Sequence, residues 1–180
     1  MSTATGLLTL EDFLALPEEK PALELVDGEV CRKPVPKESH SYAQLGIIKA
    51  LLTDPHTAPG HIRPELGISF PADLIGNHRV PDVVYFRPGR RPSHPYPVVP
   101  PDLAIEVRSE GQGLELVRKR LSFPRERGTA CTLLIDLLTR SVEVHDGDRT
   151  WTAREGQRVT LAALDGFTFL VDGLFENDGA

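Results

Sequence analysis

The 180-residue chain has only two cysteines, Cys31 and Cys131, far apart and outside any CxxC spacing. That excludes a cysteine zinc site and a disulfide framework, and it predicts buried free thiols in a reducing compartment. The histidines form no HxH or HxxxH pair, so zinc held from one helix is excluded too. No stretch approaches the roughly 18 apolar residues of a membrane span. The first residues lack a basic segment followed by a long apolar run, so no signal peptide is expected. These absences predict a cytoplasmic protein with no membrane partner. Positive charge is also in short supply. Twenty Lys and Arg against 26 Asp and Glu leave a net charge of −6, which excludes a general basic coat for nucleic acid but not a local basic groove. With no internal repeat and no second-domain boundary, residues 1–180 read as one domain, large enough to bury roughly 70% of the surface its unfolded form exposes.

Local signals divide the chain into elements. Thr9 and Asp12 mark a helix start, with Leu10, Phe13, Leu14 and Leu16 as its apolar face. Asp27-Gly28 between two alternating runs predicts a β-hairpin. Glu24 in its first arm is either an exposed strand glutamate or a further acid near a metal. Ser39 is expected to cap a helix reaching about Leu52, with Tyr42, Leu45, Ile48 and Leu52 as its buried stripe. His40, in the first turn, is a surface or capping residue, or else a contact to a phosphate or a nearby carboxylate. Residues 61–70 and 79–86 read as strands, and Pro81 makes the second an edge strand or one that opens irregularly. Six prolines between 88 and 101 predict a stiff surface loop, and 102–109 is the next strand. A basic helix follows from about Leu114 to Phe123, with Leu114, Val117 and Leu121 buried, a kink or end at Pro124 and a stop at Gly128. Ala130 to Asp136 reads as a central strand, apolar on both faces. Short strands at 141–146, 149–153, 157–161 and 167–171 make the C-terminal part β-rich, before a frayed tail at 177–180. The order predicts an α/β (α+β) fold, a mixed β-sheet flanked by helices.

Two acids stand out. Asp82 in Val80-Pro-Asp-Val-Val-Tyr-Phe86 and Glu106 in Asp102-Leu-Ala-Ile-Glu-Val-Arg108 sit in strand segments that otherwise want burial. A buried carboxylate is costly unless it is paired or binds a metal. Two of them converging at a sheet edge can hold Mg²⁺ or Mn²⁺, which prefer oxygen ligands. Such an ion polarises a phosphoryl oxygen and activates water. The plainer reading is a pair of structural acids with Arg79 and Arg108 as partners. Basic clusters lie close by, five cations and one anion over 118–127, and Arg79, Arg87, Arg90 and Arg91 around the first strand; such clusters are either solvated surface or binding sites.

Pro81-Asp82 followed by Glu106-Val107-Arg108 resembles the PD-(D/E)XK nuclease signature. With Leu23-Glu-Leu-Val-Asp-Gly-Glu-Val30, the Ser39-His40 helix start, Pro101-Asp-Leu-Ala-Ile-Glu-Val107, Gly128, Asp136, Val142-Glu-Val144 and the closing Leu164 to Phe175, the chain resembles the Uma-type family of restriction-endonuclease-like proteins over nearly its whole length. The resemblance implies a restriction-endonuclease-like fold and a Mg²⁺- or Mn²⁺-dependent endonuclease cutting DNA. Asp82 and Glu106 would be metal ligands, the Val107 carbonyl would complete the shell, and Glu24 would be the N-terminal acid facing the same cleft. The family's lysine lies on the helix after the strand motif, a place held here by Arg120, with Lys119 one residue earlier. Arg108 holds the third position of the strand motif, so the cation is Arg108, Lys119 or Arg120. Arginine stays protonated and cannot serve as a general base. The alternative is therefore a catalytically degenerate nuclease fold that binds nucleic acid or a protein partner. Related nucleases are often homodimers.

Overall fold

The computed structural model describes residues 7–73, 76–90 and 92–175. Arg91, the expected tail at 177–180 and the first six residues, on which the signal-peptide reading rests, lie outside them. Along the chain run α1 (Leu10–Leu14), β1 (Leu23–Val26), β2 (Glu29–Arg32), α2 (Glu38–Thr53), β3 (His61–Pro64), β4 (Ile68–Phe70), β5 (Asn77–Arg79) and β6 (Val83–Phe86). There follow β7 (Leu103–Arg108), α3 (Leu114–Glu126), β8 (Cys131–Asp136), β9 (Ser141–Asp146), β10 (Arg149–Arg154), β11 (Arg158–Leu161) and β12 (Phe167–Leu170). They form two compact units that no single cut in the sequence separates. The first is drawn from residues up to 35, 67–80 and 93–99, and the second from 36–66, 81–92 and residues from 100 onward.

The first unit is a four-stranded sheet in the order β2-β1-β5-β4, with antiparallel neighbours. Its hairpin turns at Asp27 (φ 51°) and Gly28 (φ 87°), the positive-φ pair that a primed two-residue turn requires. The Thr9 hydroxyl accepts from Asp12 N–H, and the Asp12 carboxylate accepts in return from Thr9, a complete capping box. Of the expected apolar face of α1 only Phe13 is buried; Leu14 and Leu16 are exposed. Glu24 is not an exposed strand residue. It is 4% exposed, because β1 lies inside the sheet and Val80 N–H needs an acceptor, which Glu24 Oε1 supplies at 2.8 Å.

The second unit carries a mixed six-stranded sheet, β10-β9-β8-β7-β6-β3. Only β7 and β8 run parallel, joined by the crossover through α3. Both faces of this central pair are covered, as the unbroken apolar run of β8 predicts. On one face, Leu103, Ile105 and Val107 join Leu133 and Ile135 and the α2 residues Ala43, Ile47 and Leu51. On the other, Ala104 and Leu134 pack on Val117 and Leu121 of α3, with Leu114 alongside. β11 and β12 form a separate two-stranded ribbon whose side chains extend the first core.

Several expectations are corrected here. Lys37, not Ser39, precedes α2, and no side chain caps it. The buried stripe of α2 is His40, Ala43, Ile47 and Leu51, whereas Tyr42, Leu45 and Leu52 are exposed. Close approach selects that face, because a Cβ on Gly46 would stand 2.5 Å from the Gly173 carbonyl oxygen. Residues 61–70 are two strands rather than one, broken after Pro64 at Glu65 (φ 48°); residues 79–86 likewise divide at Pro81. The irregular opening therefore holds and the edge position does not, since β6 lies between β7 and β3. The α3 helix passes through Pro124 to Glu126. There the missing N–H falls in the last turn, and Gly128 (φ 100°) follows. Both thiols are free, but only Cys131 is buried; Cys31 is exposed on β2.

Candidate active site

The second unit brings Asp82, Glu106, Val107, Arg120 and His40 together. β6 and β7 pair antiparallel with Val83 opposite Ile105 and Val84 opposite Ala104. One step back along that register, Asp82 stands opposite Glu106 at the point where β6 begins. Regular pairing has ended there, so Val107 N–H has no strand carbonyl to meet. Instead it donates to Asp82 Oδ2 at 2.7 Å. In an extended strand a residue's N–H and C=O share one edge, so the Val107 carbonyl lies on the Asp82 side. The Asp82 main chain is held as well, its carbonyl accepting from Gln44 Nε2 at 2.7 Å and Glu65 N–H at 3.0 Å.

Both carboxylates are buried, Asp82 at 2% and Glu106 at 5% exposure, where an uncompensated charge would cost several kcal/mol. Arg120 Nε meets Glu106 Oε1 at 3.1 Å. Glu106 shares the α3 face of β7 with Ala104, and Arg120 comes down on it from that helix. His40 is buried; its Nε2 lies 3.6 Å from Asp82 Oδ2 and its Nδ1 lies 3.3 Å from Ser109 Oγ. The imidazole thus bridges the acid and the residue that follows β7.

Of the other candidates, Arg108 and Glu24 have partners of their own. Arg108 shares a face with Glu106, but its guanidinium donates to Asp136 Oδ2 at 2.8 Å and to the Gln112 carbonyl at 3.0 Å. Asp136 is its register partner on β8. Lys119 is exposed on a different side of α3, toward Glu143 and His145. Glu24 belongs to the first unit, where it accepts from Val80 N–H and lies 4.0 Å from Arg79 Nε. Sequence reasoning missed Gln44, Ser109 and Asp136. Gln44 had a usable signal, being one helical turn from His40 and so on the same face of α2.

Among the described residues, no group of three or more His, Cys, Asp or Glu could hold a metal ion. Mg²⁺ asks for less, because it keeps several waters and is held through one or two carboxylates. The donors gathered here are two carboxylates and a strand carbonyl, all oxygen, and they fit that mode of binding.

A mixed sheet flanked by helices, with an acidic pair where an antiparallel neighbour stops, defines a nuclease-like α+β fold. The fold is similar to that of a solved protein, a putative nuclease belonging to DUF820 from Anabaena variabilis ATCC 29413, with a TM-score of 0.79, 25% identity, and coverage of 93% of this chain and 97% of that one. The pattern that defines the Uma2 family, described as putative restriction endonuclease, matches residues 10–172, and the chain belongs to that family. No curated protein matches it. No helix among the described residues is long and apolar enough to cross a membrane.

Proposed function

We propose that the chain is an endonuclease that hydrolyses phosphodiester bonds in DNA, dependent on Mg²⁺ or Mn²⁺ held by Asp82, Glu106 and the Val107 carbonyl. The observation that carries this reading is the buried acidic pair itself, with Asp82 fixed by Val107 N–H at 2.7 Å beside Glu106. A bound ion there supplies a polarised phosphoryl oxygen and a more acidic water. The remaining work falls to the chain. Val107 N–H and Gln44 set the Asp82 carboxylate and main chain. Arg120 remains protonated, so it stabilises charge on the phosphate and does not act as a base. His40 holds the Asp82 carboxylate and faces a phosphate from the start of α2. Arg108, engaged by Asp136, serves the sheet, and Lys119 has no part in this site. A homodimer formed through β10, whose outer edge has no strand neighbour among the described residues, would carry two such pairs; sedimentation tests it. The reading places the protein in the cytoplasm.

The test is cleavage of plasmid DNA with Mg²⁺ or Mn²⁺, lost on Asp82→Ala and on Glu106→Ala, with calorimetry of divalent-ion binding beside it. The Arg120–Glu106 contact at 3.1 Å favours one other reading, a fold in which arginine occupies the acid and cutting has been given up. Ion binding with no cleavage of any DNA form would select that reading. No effect of either carboxylate on ion binding would remove the site.

A further inference from the structure

The helix α3 has a second polar flank. Arg118, Ser122 and Arg125 lie four and three residues apart, about half a turn from Arg120. They wall a groove of about 680 Å³ whose floor is the part of β9 and β10 that α3 leaves open. Cross-strand pairing of Thr150 with His145 and Thr152 with Glu143 puts those four side chains on the floor. A volume of this size is in the range of small-ligand sites.

The charges in the groove are unevenly matched. Arg118 is neutralised, its guanidinium forked on Glu143 at 2.9 and 2.5 Å and bonded to Glu115 at 2.5 Å. Lys119 and Arg125 have no acidic partner among the described residues. Arg125 is half-buried and points Nη1 at His145 Nδ1, 2.6 Å away. A guanidinium only donates, so Nδ1 must be bare and the imidazole proton sits on Nε2. Burial, and then the charge of Arg125, lower the basicity of His145. Thr150 Oγ1 holds the same nitrogen at 2.9 Å. A fixed guanidinium with donors to spare, set against a neutral ring, lacks an anion, and the planar fork suits phosphate.

We propose that this groove binds a phosphoryl group, and that its occupant is the backbone of a nucleic-acid strand running outside the acidic pair. The strand assignment rests on the nuclease reading above; the phosphate chemistry does not.

The test is fluorescence anisotropy of labelled single-stranded and duplex DNA, titrated with the full chain in EDTA over a range of salt. Arg125→Gln and Lys119→Ala are each expected to weaken binding about tenfold and to reduce the salt slope by about 1. Lys119 is exposed, so its variant reports even if Arg125→Gln fails to fold. Unchanged affinity and slope in both overturn the proposal. Calorimetry with AMP and with inorganic phosphate separates the sources. Tight binding of either that needs Arg125, without an effect of Arg125 on DNA, keeps the phosphate site and overturns the strand. Asp82→Ala is run alongside. Arg125-dependent DNA binding with no cleavage by the wild type removes the nuclease reading alone, and cleavage that needs Asp82 with binding indifferent to Arg125 and Lys119 removes the groove alone.

Discussion

His78 sits at the centre of the first unit, 4% exposed, between the rings of Phe13 and Tyr96 at 5.2 and 4.7 Å. Ser69 Oγ lies 3.0 Å from Nδ1. On the other side of the ring a Cβ at Gly67 would come within 2.3 Å of Nε2, so the imidazole is boxed in. Burial pushes its pKa down to about 4, against a smaller upward pull from Glu24. An ordinary imidazole titrates near 6.5, so the gap is worth about 3 kcal/mol. Between those two pH values the unfolded chain takes up a proton that the native one refuses. The stability contributed by the neutral ring is therefore complete above pH 6.5, is lost as pH falls, and levels off below about 4. The assay is denaturant unfolding of the wild type and His78→Gln from pH 7 to pH 4, with the imidazole followed by NMR. The glutamine cannot titrate. The stability of the wild type relative to the variant is expected to fall by about 3 kcal/mol across that window, which separates His78 from every carboxylate the two proteins share. Glu24→Gln should move the imidazole pKa lower still. A wild-type-minus-variant difference that stays flat with pH, or a ring that titrates near 6.5, refutes the reasoning.

Other perturbations test separate parts of the structure. Arg120→Lys returns a titratable amine to the place beside Glu106; if only the missing base limits cleavage, the rate should rise by about 10²-fold or more, and plasmid assays that show no gain would count against that explanation. Gly46→Ala puts a methyl group 2.5 Å from a backbone oxygen at Gly173; a loss of about 1–3 kcal/mol is expected by thermal unfolding, despite alanine's better helix propensity, and an unchanged or higher Tm would contradict the close approach of α2 to that turn. An aromatic disulfide reagent should label Cys31 at once and Cys131 only on unfolding, because Cys131 is buried and its thiol is pushed well above the ordinary range by burial and by Asp146; two equally fast thiols would refute this.

Much of the fold was legible in short-range signals. The Thr9–Asp12 box, the Asp27-Gly28 turn, the apolar run of β8 and the glycine after α3 each act within a few residues, and the strands and helices they delimit are present. Asp82 and Glu106 were legible for the same reason, since an acid inside an apolar strand is anomalous wherever the strand lies. What failed needed distant partners. Residues 42, 45, 48 and 52 have the right period for a buried stripe, yet the face carrying Ala43 and Gly46 is the one that docks, because small residues admit the backbone at Gly173. For Glu24, alternation left an exposed strand glutamate and an acid near a metal both open, and the N–H of Val80, 56 residues away, draws it inside.

The residues alone thus marked most of the elements, their order and the two anomalous acids, all written in local spacing and in the cost of burying charge. Which cation meets which acid was left to tertiary structure. Arg108 lies two residues from Glu106 and Arg120 fourteen, yet it is the more distant one that meets the acid. The parallel register of β7 on β8 gives Arg108 to Asp136, and the docking of α3 gives Arg120 to Glu106. The same docking leaves Arg125 with no acidic partner among the described residues. Spacing along one chain carries no information on which groups two separate strands, or a strand and a helix, bring face to face.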